Sequence, residues 1–249
     1  MNSGPKILLL DIETSPNLAY VWGIWEQNVN VNHMVSSSTT LCWAAKWLGQ
    51  KRVMFDSVNE STPKQMLKRI HALLDEADVV VHYNGKKFDI PTLNKEFLLH
   101  DMPPPAPYKQ VDLLQVARGT FRFQSNKLDY VSKQLGSGGK VKHEGFELWV
   151  KCMAGDQPAW GRMKKYNIGD VTELEVVYRK LLPWIKGHPN HGTYSHSQVC
   201  PNCGSKSVQQ RGEARNASGT YKRYQCKDCG AWSRGHEVVK HNGKRLVAA

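Results

Sequence analysis

Asp11 and Glu13 stand two residues apart at the end of a nearly continuous apolar run, Lys6-Ile7-Leu8-Leu9-Leu10-Asp11-Ile12-Glu13-Thr14. A run of this kind reads as a buried central strand. On a strand the side-chain period of two puts both carboxylates on one face. Side by side they repel, and a divalent cation is the simplest partner that removes the cost. A strand running out into a polar turn would give the same few letters, so the weight falls on the other acids. Asp89 follows a second apolar strand, Val79-Val80-Val81-His82-Tyr83, and has the residue type and place of a helix N-cap. Asp170 lies in Tyr166-Asn167-Ile168-Gly169-Asp170, four residues after a tyrosine and so on the same helix face. Hard oxygen ligands with few neutral donors suit Mg²⁺ or Mn²⁺. Two such ions roughly 4 Å apart can stabilise both the attacking and the leaving oxygen of a phosphodiester. No covalent intermediate is then needed, in keeping with the lack of an obvious nucleophilic triad.

A second constellation lies near the C-terminus. Cys200-Pro201-Asn202-Cys203-Gly204 and Cys226-Lys227-Asp228-Cys229-Gly230 are two knuckles, and their four thiolates can close a tetrahedral, structural Zn²⁺ site. Disulfides are the alternative use of the same cysteines, disfavoured in a cytoplasmic chain. A unit this small buries little core, so zinc should contribute directly to its folding. Cys42 and Cys152 belong to neither knuckle and read as free thiols.

Taken in order, Asp11-Ile12-Glu13-Thr14, then Tyr83-Asn84-Gly85-Lys86-Lys87-Phe88-Asp89-Ile90-Pro91, then Tyr166-x-x-x-Asp170 resemble the three motifs of DEDD-type 3′–5′ exonucleases, in their tyrosine-bearing branch. The middle motif is similar to that of the proofreading domain of family B DNA polymerases. The resemblance spans residues 5–186 or thereabouts and implies a ribonuclease-H-like fold, an α/β architecture with a mixed central sheet flanked by helices. The cysteine knuckles look like a zinc ribbon appended to it. By the resemblance, Asp11 would bridge two Mg²⁺ (or Mn²⁺) ions. Glu13 and Asp170 would complete the one that holds the attacking water. Asp89 would serve the other, directly or through water, and Tyr166 would orient the nucleophilic water. Thr14, Asn84, Lys86 and Lys87, beside these motifs, are candidate nucleic-acid contacts, although a solvated loop would read the same for the two lysines.

The elements that must position these groups can be outlined. Leu41 to Leu48 and Arg52 to Phe55 read as a strand pair turning at Gly49-Gln50. Thr62-Pro63-Lys64-Gln65 is a helix start with a capping box, and Met66, Ile70, Leu73, Leu74 and Ala77 form its apolar face. Val111 to Ala117 and Lys127 to Leu135 read as helices, the second started by Asn126 and stopped by Gly136. Asp112 reads as an N-cap and not as a ligand. Gly136 to Gly139 is a loop carrying Lys140 and Lys142. A long helix runs from about Arg162 to Ile185, with Val171, Leu174, Tyr178, Leu181 and Ile185 at helical spacing. Trp22, Trp25 and Phe121-Arg122-Phe123 have faces that could stack on bases, with core packing the simpler expectation for each.

The expected organisation is therefore an exonuclease domain at 1–187, a linker at 188–198 and a zinc ribbon at 199–249. The net charge of +12 is too large to be incidental and points to a polyanion, most simply nucleic acid. Residues 191–249 hold ten Lys/Arg against three Asp/Glu, so +7 of the total lies there. Within that tail Arg211, Arg215, Lys222, Arg223 and Arg234, with Tyr221, Tyr224 and Trp232, are candidate contacts to backbone and bases. A structural or protein-docking ribbon, serving a replication or recombination protein, is the alternative. No stretch reaches the roughly 18 apolar residues of a membrane span, and the first residues lack a signal-peptide pattern. A soluble, cytoplasmic protein is expected, in the host cytoplasm if virus-encoded. With the resemblance, the expected activity is a two-metal-ion 3′–5′ exonuclease on DNA, single-stranded 3′ ends first, releasing nucleoside monophosphates in replication, repair or recombination. The same site would serve an exoribonuclease or a structure-specific endonuclease. A non-catalytic binding module is a further reading, against which stand all four acids and the tyrosine.

Overall fold

The computed structural model describes residues 4–137 and 144–241. Of the loop expected at Gly136 to Gly139, the part from residue 138 on, with Lys140 and Lys142, lies outside the described residues, as do residues 242–249 of the expected ribbon. The chain divides into two units, Lys6–Tyr178 and Arg179–Ala249 together with Met1–Pro5.

The first unit is built on the acidic strand. β1 (Ile7–Thr14) is the middle of a five-stranded mixed sheet. The two-residue β2 (Leu18–Ala19) and three-residue β3 (Met34–Ser36) then form a small ribbon. β4 (Thr40–Trp47) and β5 (Met54–Ser57) follow as the expected antiparallel pair. Helix α1 (Pro63–Glu76) starts at the expected box: Thr62 Oγ1 accepts Gln65 N–H and Gln65 Oε1 accepts Thr62 N–H, both at 3.3 Å. β6 (Val79–His82), α2 (Asp89–Leu99), β7 (Lys109–Asp112) and α3 (Leu113–Thr120) complete the order β5-β4-β1-β6-β7. β1 is parallel to β6, and β6 to β7, while β1 is antiparallel to β4. Three helices follow, α4 (Leu128–Gln134), α5 (Phe146–Met153) and α6 (Gln157–Leu181). No described helix is long and apolar enough to cross a membrane.

Alternation along β1 sorts the two faces. Leu8, Leu10 and Ile12 pack with α1 and α2 residues such as Met66, Ile70, Leu93 and Phe97. Asp11 and Glu13 take the opposite face. They register with Ala44 and Cys42 of β4, and Cys42 packs there with Met163 and Tyr166 of α6. The buried helix face of Val171, Leu174, Tyr178 and Leu181 is as expected.

Several local expectations are corrected. Val111 and Asp112 belong to a strand, because β6 offers them a parallel partner; the helix starts after them, with Asp112 as its N-cap accepting Leu114 N–H. Asn126 does not start α4; the N-cap is Lys127, whose N–H is taken by Ser125 Oγ. Asp89 is the first residue inside α2, and the N-cap is Phe88, without a side-chain cap. Trp22 and Trp25 are 97% and 84% exposed, so core packing does not hold for them. They lie on a long excursion between β1 and β4 that β2 and β3 pinch at its base.

The turn after β6 depends on a close approach. Gly85 N–H donates to His82 Nδ1 (3.1 Å), so the His82 proton sits on Nε2 and goes to Gln110 Oε1 (3.1 Å). A Cβ on Gly85 would lie 2.4 Å from His82 Cγ, whereas one on Gly119 would meet nothing within 4 Å. Gly85→Ala is expected to destabilise by about 1–3 kcal/mol, and Gly119→Ala, in the exposed part of α3, to stabilise by up to about 1 kcal/mol. Thermal unfolding followed by far-UV circular dichroism would show midpoints moving in opposite directions.

Candidate active site and cysteine cluster

β1 is longer than the strand beside it. Its pairing with β6 covers Ile7 to Leu9 only, while on the other edge β4 stays with it through Asp11, Ile12 and Glu13. The acids therefore sit on an overhang, held on one side and opened on the other. Across their face runs α6, which supplies Asp170. One carboxylate oxygen each from Asp11, Glu13 and Asp170 lies within 4.8 Å of the others. Three anionic groups at that spacing form a donor set of hard oxygens suited to a divalent cation. Their Coulomb repulsion is what such an ion would remove.

Asp89 stands beside this trio, outside it. Its Oδ1 accepts the Ile12 N–H at 3.1 Å, a backbone donor lying where β6 has already ended. Burial pushes its carboxyl up to about 7, against the opposing pull of the Ile12 N–H and its own backbone. The loop that delivers Asp89 is anchored by Asp112. That carboxylate accepts Asn84 N–H (2.9 Å) and Lys86 N–H (3.4 Å) and caps α3. Asn84 adopts φ +70°, the left-handed region that asparagine tolerates. Lys86 and Lys87 are exposed.

Tyr166 is buried one turn before Asp170, and Trp149 of α5 packs edge-on against it at 5.9 Å between ring centroids. Trp149, with Thr14, Ser15, Pro16, Gly145 and Phe146, lines a cleft of about 370 Å³ next to the acids. A second cleft, of about 580 Å³, opens beside Tyr83 and Asn84 and is lined by Arg118, Asn126 and Lys127.

Sequence reasoning passed over Asn167. It is fully buried, and its Nδ2 donates to Asp11 Oδ2 (2.7 Å) and more weakly to Asp11 O (3.4 Å). Its Oδ1 faces the Cys42 Sγ at 3.8 Å. A carboxylate only accepts, so the amide nitrogen must face Asp11 and the thiol must donate to the amide oxygen. Burial, followed by the charges of Glu13 and Asp11, holds the Cys42 thiol well above its ordinary range, which keeps that proton in place. The available signal was its position between Tyr166 and Asp170 on a helix that passes the acids.

In the second unit β8 (Val208–Arg215), β9 (Gly219–Cys226) and β10 (Trp232–His241) form an antiparallel sheet, order β10-β9-β8. The two knuckles repeat one geometry. Gly204 and Gly230 both have positive φ, and their N–H groups donate to Cys200 O (2.9 Å) and Cys226 O (3.1 Å). The four Sγ atoms lie within 4.8 Å, with Cys200–Cys229 and Cys203–Cys226 both at 3.6 Å. A disulfide needs about 2.05 Å, whereas thiolates about 2.3 Å from a zinc ion stand at close to the observed spacing. The donor set fits Zn²⁺. Asn202 Nδ2 ties the first knuckle to Leu182 O (2.8 Å) and Ile185 O (3.2 Å). Of the candidate contacts, Arg211 and Arg215 lie on β8, Tyr221, Lys222, Arg223 and Tyr224 on β9, and Trp232 and Arg234 on β10.

Residues 8–182 match the model of the RNase_H superfamily, RNase_H_2. The chain belongs to the RNase H superfamily. Its fold is shared with a solved family B DNA polymerase from the hyperthermophilic archaeon Pyrobaculum calidifontis, with 15% sequence identity and a TM-score of 0.57 over 87% of this chain. The match takes in 32% of the polymerase, so this member of the superfamily spans about a third of that chain. A comparison with curated proteins finds no match.

Two outcomes test these sites. Asn167→Leu is expected to weaken Mn²⁺ binding by about 10–100-fold, the usual cost of losing a group that orients a metal ligand, as read by calorimetric titration. A zinc chelator is expected to abolish the native fold of the ribbon sheet while Lys6–Tyr178 keeps its own, as read by amide exchange.

Proposed function

We propose that this RNase H superfamily member is a metal-dependent phosphodiester hydrolase, a 3′–5′ exonuclease that removes nucleoside monophosphates from DNA, single-stranded 3′ ends first. The observation that carries the reading is the Asp11, Glu13 and Asp170 trio, gathered within 4.8 Å on one face of the central strand. Asp11, Glu13 and Asp170 would hold one Mg²⁺ or Mn²⁺, and Asp11 with Asp89 a second. The ions, when bound, would supply a nucleophilic water at neutral pH and charge for the departing 3′ oxygen. Asn167 fixes the Asp11 carboxylate. Tyr166, wedged by Trp149, would place its hydroxyl toward the attacking water. The polarity and the DNA substrate rest on the motif resemblance and on the likeness to a DNA polymerase; the superfamily's name keeps an RNA strand as the alternative substrate of the same site.

The cysteine unit would hold one structural Zn²⁺ and contact nucleic acid through its basic side chains, with a replication or recombination protein as its alternative partner. Support comes from the +7 charge of residues 191–249. Such an enzyme would work in replication, repair or recombination, in the cytoplasm.

End-labelled DNA and RNA, incubated with Mg²⁺ and with Mn²⁺, test the assignment. The expected product is a ladder of DNA shortened from its 3′ end, absent when that end is blocked. Asp11→Ala should lower the rate by about 10²–10⁴-fold, the equivalent of several kcal/mol of charge stabilisation. Undiminished digestion by that variant would overturn the site, and cutting of the blocked strand would make the enzyme an endonuclease.

A further inference from the structure

Two arginines face each other across the ribbon sheet. Arg234 of β10 registers directly with Arg223 of β9. Directly opposed residues of an antiparallel pair share a face, with Cβ atoms about 4.5–5.5 Å apart, and like charges in that position destabilise the sheet. Both side chains are exposed, and among the described residues neither is ion-paired; the ribbon's described ion pair joins Arg215 to Glu213.

What holds them is aromatic. The Arg223 guanidinium lies 5.0 Å from the Trp232 ring centroid and that of Arg234 lies 4.2 Å from the Tyr221 ring. Arg223 Nε donates to Arg211 O (2.9 Å) and Arg234 Nη1 to Gly235 O (3.2 Å). Stacking fixes each planar cation without neutralising it. Register puts all four side chains on one face: Trp232 opposes Gln225, Arg234 opposes Arg223, and Val238 opposes Tyr221.

We propose that this face binds nucleic acid by taking its phosphate backbone on the Arg223 and Arg234 guanidinium groups. An anion there turns a repulsive pair into two charge-assisted contacts, and guanidinium forks match phosphate geometry. Trp232, 51% exposed, keeps ring surface for a neighbouring base. The inference rests on the nucleic-acid reading of the ribbon and is independent of the acidic trio.

The test uses the full, zinc-loaded chain carrying Asp11→Ala to prevent cleavage, and a fluorescent single-stranded oligonucleotide. Anisotropy is titrated over a range of salt concentrations. Arg223→Gln with Arg234→Gln should weaken binding about tenfold or more and lower the log–log salt slope by about 0.7, one phosphate's worth. The double exchange to lysine should keep the slope and still lose affinity, because charge is retained without the fork; it also serves if the glutamine variant fails to fold. Lys240→Gln, which removes a charge from the far end of β10, beyond the register shift after Val238, should change little. Wild-type affinity and slope in the double glutamine variant, or an equal loss from Lys240→Gln, overturns the proposal. Digestion by the chain with Asp11 intact reports separately on the acidic trio, so either reading can fail alone.

Discussion

Mutual repulsion among Asp11, Glu13 and Asp170 is the constraint around which the first unit is arranged. Carboxylates within 4.8 Å of one another must be forced together by something stronger than their charge. Here the force is the apolar packing on either side: Leu8, Leu10 and Ile12 fix β1 from one face, and the buried stripe of α6 fixes Asp170 from the other. Apolar burial contributes about 25 cal/mol for each Å² removed from water, so a dozen fully buried side chains hold the acids in place with ease. The fold so brings together three hard-oxygen donors at the spacing a divalent cation takes.

The polar groups around the acids share the work of aiming them. Asn167 adds a hydrogen bond to Asp11 and no charge. Asp112 gathers backbone N–H groups so that the loop from Tyr83 can hand over Asp89. Asp89 in turn covers a backbone donor of β1 that no strand reaches. Each of these contacts joins segments distant in sequence, so the site exists only when sheet and helices are assembled. The ribbon unit solves a different problem by local repetition: the same turn, closed by a glycine, is built twice around two cysteines each.

Much of this was legible in the residues. Period-two spacing gave the shared face of Asp11 and Glu13, the capping box gave the start of α1, and the CxxC pairs gave the cysteine cluster. What misled was local resemblance between competing signals. Asp89 has the letters of an N-cap, yet the open edge of β1 claims its carboxylate. Val111 and Asp112 continue smoothly into a helix, and only the partner strand β6 makes them extended. Asn167 was signalled only by its place between Tyr166 and Asp170, because the contact that matters reaches a residue 156 positions away in sequence. The two tryptophans follow the general rule that large aromatics are buried, and their exposure is a property of an excursion whose course no short pattern describes.

That excursion has a consequence for how the chain is put together. β1 and β4 are antiparallel neighbours, and Ser15 N–H donating to Thr39 O (2.9 Å) closes their ladder. A tight turn of a few residues would join them at this point. The chain instead travels through residues 16–38, which raises the entropy cost of closing the loop by about 2 kcal/mol. It returns with Tyr20, Trp22, Ile24, Trp25 and Val31 all more than three-quarters exposed. The sheet does not require this length: among the described residues, none from 16 to 38 is buried. Its reason for existing lies outside the architecture that carries it.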